Sequence, residues 1–425
     1  MSEWISSSLG ELVTFQKGKK VSTSRYPLEG YREYLGAGKL SGSSDGYAST
    51  FLAVQANEKD VLMLWDGERS GLCRTGLSGV VSSTVSKLTP TDSINNLLLY
   101  YLLHQRFGWI QHRRTGTGVP HVPRDLGRIL RLAYPRCIGE QKKIAYILET
   151  IDLAIKKTQA LIDKYQQIKV GLMHDLFTRG IGPDGQMRPS YEQAPELYQE
   201  TPIGWIPKEW RADRLEQLLA PVANNLRSGP FGSALLKSEL VEDGIPFLGI
   251  DNIHAELFVD NFRRFVSEKK FLELNKYAVR KKDVIITIMG TVGRSAVFPD
   301  HLDRALSSKH LWTMTLDQER IVPELVCWQL NCAPWVKSWF RRETQGGIMD
   351  AIQSRTLKTL TLPVPPLVEQ LEIAKRHSSI SDRIRLEEQT LEKLKKQKSG
   401  LMYDLLTGEV PVSVESREER VVETV

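Results

Sequence analysis

Two stretches of the chain carry a long, unbroken helical pattern. Positions 151, 155, 158, 162, 165, 169, 172 and 176 alternate steps of four and three, the period of about 3.5 residues used by helices that face another helix. They hold Ile151, Ile155, Thr158, Ile162, Tyr165, Lys169, Leu172 and Leu176. The same steps later pick out Ile380, Ile384, Glu387, Leu391, Leu394, Lys398, Leu401 and Leu405. Both stripes are apolar except at the same two places, where polar residues lower stability but can select register and partner. Neither stretch contains a proline, and the one glycine in each, Gly171 and Gly400, lies near its C-terminal end. The pattern predicts two helices, over 140–178 and 369–407, each roughly 55 Å long and paired as a coiled coil. The bland reading is two amphipathic helices packed separately on their own domains.

These stretches are copies of each other. Gly171-Leu172-Met173, Asp175-Leu176 and Thr178 return as Gly400-Leu401-Met402, Asp404-Leu405 and Thr407, an offset of 229. The same offset, without a gap, relates Glu140-Gln141 to Glu369-Gln370 and Ile144-Ala145 to Ile373-Ala374. A match this long without insertion marks a rigid element. The longer blocks before each helix repeat more loosely. Leu35-Gly36 returns as Leu248-Gly249, Lys59-Asp60-Val61 as Lys282-Asp283-Val284, Ser82-Ser83 as Ser307-Ser308, and Arg113-Arg114 as Arg341-Arg342. Here the offset drifts upward, as it does when loops lengthen around a retained core. The apolar runs Leu62–Trp65 and Ile285–Ile288 read as strands, and Gly290-Thr291-Val292-Gly293 reads as a turn within a hairpin. The segment 179–202 is rich in glycine and proline and reads as a linker or loop-rich connector. The chain is thus of α+β class. Mixed α/β blocks at 1–139 and 203–368 are separated by two long helices paired as a coiled coil, in an internal repeat. A polar tail follows over 408–425.

Charge adds a weak pointer. Lys and Arg outnumber Asp and Glu by 17 to 11 in residues 1–139 and by 22 to 19 in residues 203–368, whereas 140–202 and 369–425 are slightly acidic. The positive excess sits on the two blocks, which favours a polyanion partner. Absences narrow the classes further. No apolar run approaches the roughly 20 residues of a membrane span, and the N-terminus has no signal-peptide pattern. Cys73, Cys137, Cys327 and Cys332 form no Cys-x-x-Cys pair and read as free thiols of a cytoplasmic protein. No phosphate-binding Gly-x-x-x-x-Gly-Lys-Ser/Thr loop, zinc-type spacing or amino-methyltransferase tetrapeptide occurs, so no catalytic residue and no metal or cofactor site is expected. Gly116-Thr117-Gly118 reads as a turn.

The architecture resembles the specificity subunits of Type I restriction–modification systems. The likeness rests on the lead Pro365-Pro366-Leu367-Val368-Glu369-Gln370, its degenerate copy Pro135–Gln141, and the duplicated Gly-Leu-Met-x-Asp-Leu-x-Thr helix ends. Gly204-Trp205 and the turn Gly290-Thr291-Val292-Gly293-Arg294 carry it as well. The first lead departs from the pattern, with Pro135-Arg136-Cys137-Ile138-Gly139 where prolines should cluster. The resemblance implies two target-recognition domains, each reading half of a bipartite double-stranded DNA site, with the helices forming an antiparallel coiled coil as spacer in a pseudo-two-fold internal repeat. It also implies assembly with two methylation subunits and two ATP-driven translocase–nuclease subunits, which would use S-adenosylmethionine, ATP and Mg. The alternatives are a scaffold of two protein-interaction modules on a coiled coil, and an enzyme with a hidden catalytic centre.

Base edges are read by Arg, Lys, Asn or Gln, and phosphates by Lys, Arg or backbone amides. Candidates in the first block are Lys19, Lys20, Arg69, Arg74, Arg113 and Arg114. Those in the second are Arg227, Arg294, Lys309, Arg341 and Arg342. Each arginine pair precedes a glycine-containing stretch at an equivalent place. A solvated helix end would carry the same residues.

Overall fold

The computed structural model describes residues 3–116, 118–343 and 352–413. The two helices run over Ile138–Thr178 and Leu367–Thr407, 41 residues each. All sixteen stripe positions are buried or half-buried, as the 3.5-residue period requires. Packing divides the chain into two compact units. One holds the chain up to Ala160 together with the stretch from Glu387 onward, and the other spans Leu161–Leu386. In the first unit Asp152 Oδ1 lies 2.5 Å from Lys398 Nζ, and Leu405 and Leu406 share a core with Ile144, Ala145 and Leu148. In the second, the Arg383 guanidinium lies 5.7 Å from the Tyr165 ring centre, and Ile373 shares a core with Met173, Leu176 and Phe177. The early part of one helix therefore lies beside the late part of the other, so the pair is antiparallel. Division by packing differs from division by linear order because antiparallel partners exchange halves.

Each block is built on the same plan. In the first, a four-stranded sheet has spatial order Val13–Lys17, Val85–Pro90, Val61–Leu64 and Cys73–Arg74. A five-stranded sheet follows the order Thr23–Ser24, Tyr47–Ser49, Tyr31–Leu35, Gly79–Val81 and Gln55–Ala56. The second block repeats both. Its four strands are Leu226–Ser228, Leu311–Met314, Val284–Thr287 and Ser295–Val297. Its five are Leu240–Val241, Phe265–Val266, Ile245–Leu248, Ala305–Ser307 and Ala278–Val279. Even a parallel pairing recurs, Tyr34 to Val80 in one block and Phe247 to Leu306 in the other. The Gly290–Gly293 turn joins two antiparallel strands, as its sequence predicts.

The short repeated motifs turn out to be hydrogen-bond devices. Asp60 accepts from the Asn57 amide (2.9 Å) and from Thr89 Oγ1 (2.7 Å). Asp283 accepts from the Arg280 amide (2.7 Å) and from Thr315 Oγ1 (2.6 Å). Each aspartate closes the turn that enters a fully buried strand, which leaves little freedom to substitute it. The serine pairs recur with Gly18 and Gly229. A Cβ on Gly18 would sit 2.1 Å from the Ser82 carbonyl oxygen, and one on Gly229 2.0 Å from that of Ser307. Only glycine lets the two backbones approach this closely.

The paired glutamines join block to helix. The Gln141 side chain accepts from the Asn95 amide (2.7 Å) and donates to the carbonyls of Ser93 (3.1 Å) and Pro135 (2.9 Å). Gln370 accepts from the Val322 amide (2.8 Å) and donates to the carbonyls of Arg320 (2.9 Å) and Pro365 (2.8 Å). Asn95 and Val322 are the cap residues of Asn96–Gln105 and Pro323–Cys332, the helices packed on the two sheets. Glu369 adds a second tie. Its carboxylate takes Arg188 (2.6 Å), the Ile181 amide (2.7 Å) and Trp210 Nε1 (3.0 Å). Arg188 also reaches Glu209 at 2.6 Å. The glycine-rich connector is therefore loop-rich but pinned by a buried ion pair.

Gln141→Leu and Gln370→Leu should each lower stability by about 2–3 kcal/mol, since each strands one buried carbonyl and two part-buried backbone groups. Thermal denaturation would read this as a fall in Tm of similar size for both. An unchanged Tm would mean that water satisfies those groups.

Candidate nucleic-acid interface

In the first block the loops at one end of the four-stranded sheet carry most of the candidate cations. Lys17 sits opposite Ser86, and Val85 opposite Leu64, so these strand ends lie together. The chain leaves that end through Gly18–Ser22, which carries exposed Lys19 and Lys20, and through Trp65–Leu72, which carries exposed Arg69. Arg69 Nη1 donates to Ser41 Oγ at 3.1 Å, and Arg74 Nε to the Leu40 carbonyl at 2.8 Å. The segment around His121 folds over the second loop. The Gly67 amide donates to the Pro120 carbonyl (2.8 Å) and the Val122 amide to that of Trp65 (2.9 Å). Arg114 clamps the same region by donating to the carbonyls of Gln111 and Glu68. Arg113 is exposed, its guanidinium stacked 3.9 Å from the Trp109 ring centre.

Three residues that sequence reading missed sit among these loops. Asp66 Oδ1 lies 2.7 Å from His121 Nδ1, and Asp66 Oδ2 lies 2.8 Å from Lys17 Nζ. Asp66 is largely buried beneath two more exposed partners. No local signal in the sequence joins positions 17, 66 and 121; only strand pairing and the loop crossing do.

The second block presents an equivalent end. Ser228 opposes Trp312, and Thr287 opposes Leu311. The chain leaves through Gly229–Leu236, Ile288–Arg294 and Ser308–His310. Arg294 and Lys309 are exposed there, as is Phe231. Burial, then the neighbouring charges of Lys309 and Arg264, hold the His310 pKa below the usual imidazole value. Arg264, itself ion-paired with Asp251, thus belongs to this cationic group although sequence reading passed over it. Arg341 and Arg342 are exposed at the C-terminal end of Pro334–Glu343. The glycines that follow them, Gly346 and Gly347, lie outside the described residues, as does Thr117.

Arg227 requires a correction. It is buried, and its guanidinium is consumed by the carbonyls of Ala278 (2.6 Å) and Asn224 (3.0 Å), Thr315 Oγ1 (2.9 Å) and the Asp283 carboxylate. Lying at the edge of a sheet, it completes the turn built by Asp283 and is not a surface cation. The error has a physical cause: the Ala278 carbonyl, the Asp283 carboxylate and the Thr315 hydroxyl that take its guanidinium lie 51, 56 and 88 residues further along the chain, so no local pattern marks the burial.

A second charged cluster joins this block to the helices of its unit. Glu256 occupies the turn between Ile253–His254 and Leu257–Phe258 with φ 61°. Its carboxylate takes Lys169 Nζ (2.6 Å) and Cys332 Sγ (3.0 Å), and lies 2.9 Å from His377 Nε2. Burial would raise its pKa, but the hydrogen bonds from His377, Cys332 and Lys169 prevail and hold it at about 2. His377 in turn stacks on Trp328, ring centres 3.8 Å apart. Lys398, the repeat partner of Lys169, instead pairs with Asp152, which also accepts from the Tyr101 hydroxyl (2.8 Å). The polar seam lysines thus have defined partners, and the two partners differ. Among the described residues no cluster of three or more His, Cys, Asp or Glu side chains is arranged to hold a metal. No helix among them is long and apolar enough to cross a membrane.

Comparison with known proteins gives one consistent result. A family model described as the Type I restriction modification DNA specificity domain matches residues 1–164 and 231–396. The Type I restriction enzyme MjaVIII specificity subunit of Methanocaldococcus jannaschii is 28% identical over 428 residues, 96% of this chain and 93% of that protein. The EcoBI specificity subunit of Escherichia coli is 21% identical over 342 residues, 78% of this chain and 70% of that protein. Among solved structures, the S subunit of a Type I restriction–modification system from M. genitalium shares the fold. Its TM-score is 0.60 at 16% identity, with 97% of each chain covered.

Arg227→Met should lower stability by about 3–5 kcal/mol, because it leaves the buried Asp283 carboxylate uncompensated. Denaturation would report this, and a surface role would leave stability unchanged. Glu256 should show in the acid limb. Its lowered pKa stabilises the fold fully above the ordinary carboxylate value of 4.5, and that contribution is lost as pH falls toward about 2. The stability difference between wild type and Glu256→Gln should therefore shrink as pH falls from about 5 toward 2. A difference independent of pH throughout that range would contradict the ionised state.

Proposed function

We propose that this chain, which belongs to the Type I restriction–modification DNA specificity family, reads a bipartite, asymmetric double-stranded DNA site and carries no catalysis of its own. Each block reads one half-site, and the antiparallel helices set the distance between the halves. The observation that carries this reading is the duplicated sheet plan with a cationic loop cluster at the same end of each copy. A B-DNA dyad lies perpendicular to the helix axis, so a pseudo-two-fold protein matches it. Half-sites on one face recur about every 34 Å, a distance that a stiff helix pair can hold and a flexible linker cannot. The blocks share their framework but not their loops, which favours two unlike half-sites. Methylation and ATP-dependent cleavage belong to two methylation subunits and two translocase–nuclease subunits, with their S-adenosylmethionine, ATP and Mg. The cytoplasm is the compartment of this assembly.

Lys19, Lys20, Arg69, Arg113, Arg294, Lys309, Arg341 and Arg342 are the cations best exposed for such contact. Arg74 and Arg114 support it through their loops, and Lys17, His121 and Arg264 join the group. Selection of bound DNA by the chain with its methylation subunits should return a split motif with a fixed unspecified gap. Inserting one heptad in both helices should widen that gap. Lys309→Ala should weaken binding and lower the slope of log K against log salt by about 0.9 if Lys309 meets a phosphate. Bound DNA without a motif would overturn the reading and favour a scaffold of two protein-interaction modules.

A further inference from the structure

The second block is attached to its helices at two levels. At the first, apolar side chains meet: Met173, Leu176, Phe177 and Ile373 share one core with Leu325, Leu330 and Val336 of the block. Contacts of this kind are strong but non-directional. At the second, one helical turn away along each helix, Lys169 and His377 converge on the single carboxylate of Glu256. Charge-assisted hydrogen bonds are directional and short-ranged, so this level fixes an angle that the apolar level leaves soft.

Glu256 is also wired toward the block's candidate DNA-reading end. Its amide donates to the Ser295 carbonyl at 2.9 Å. Asn331 holds the same serine through its amide (3.1 Å) and its carbonyl (2.8 Å). Ser295 directly follows Arg294, which ends the turn begun at Gly290 and is exposed, as are Gly290, Thr291 and Val292. Glu256 keeps a full side chain at a positive φ, a backbone region that glycine or asparagine enters with less strain. The first copy lacks this device. Leu148 stands where His377 stands, and Lys398 turns to Asp152 on the facing helix.

We propose that Glu256 is a positioning residue that sets the angle of the second block on its helices, and with it the half-site spacing that the protein accepts. The inference rests on the DNA-reading role proposed above. It places the control of spacing in the Glu256–Lys169–His377 junction as well as in helix length. A looser junction lets the second block swing, so that DNA with a gap one base pair too long or too short is read with less penalty. The bases read within each half-site stay the same.

The test uses the full chain assembled with its methylation subunits. DNA duplexes carry the two selected half-sites at the native gap and at gaps one and two base pairs longer or shorter. Wild type is expected to discriminate sharply against the wrong gaps. Glu256→Gln and Lys169→Met should each reduce that discrimination by about tenfold without changing the selected bases, and the double variant should add little to either. His377→Leu installs the residue type that the first copy holds at 148, and it gives the same reading should Glu256→Gln fail to assemble. A purely structural role would lower the active fraction equally at every gap. Wild-type gap selectivity in these variants would overturn the proposal, whereas absence of any split motif in wild type would overturn the DNA-reading role itself.

Discussion

A helix of 41 residues with one apolar stripe is unstable in water unless that stripe is covered along its length. Here the two stripes have the same period and the same polar interruptions, and each unit covers the early half of one with the late half of the other. That constraint organises the rest. A seam position cannot be inserted or deleted without turning every following apolar residue toward water, which is why the helical copies match without a gap. The blocks hang on this frame and are free to change wherever they do not touch it.

The frame reaches into each block through buried polar groups. Gln141 and Gln370 make the same three bonds in the two copies, and Asp60 and Asp283 close the same turn. Both devices satisfy buried or part-buried backbone groups, where an unpaired amide or carbonyl is unfavourable. The glutamine and the aspartate retained between the blocks thus complete the backbone's hydrogen bonding. At the free sheet ends the copies diverge: Lys17, Asp66 and His121 in one, Arg264, Lys309 and His310 in the other.

The symmetry is broken at the seam lysines. Lys398 finds its carboxylate on the facing helix, and Lys169 finds one on the block. Equivalent positions in a duplicated chain therefore do different work. The first block meets this level of the seam through the neutral hydroxyl of Tyr101, and the second through the ionised carboxylate of Glu256. Two unlike junctions suit the proposed reading of two unlike half-sites.

The sequence by itself determined the repeat, the two helices, their pairing face and the presence of a sheet in each block. These follow from periodicity and spacing, which are local or recur at a fixed offset. It also marked Glu-Gln and Lys-Asp-Val as special without saying why. Only the tertiary structure decided that Arg227 is a buried partner of Asp283, that Arg114 clamps loops, and that Glu256 meets Lys169 and His377 across 87 and 121 residues. Such pairings depend on which strand ends lie side by side and which helix face a loop crosses. No spacing along the chain encodes those distances, because the loops that set them differ between the two copies.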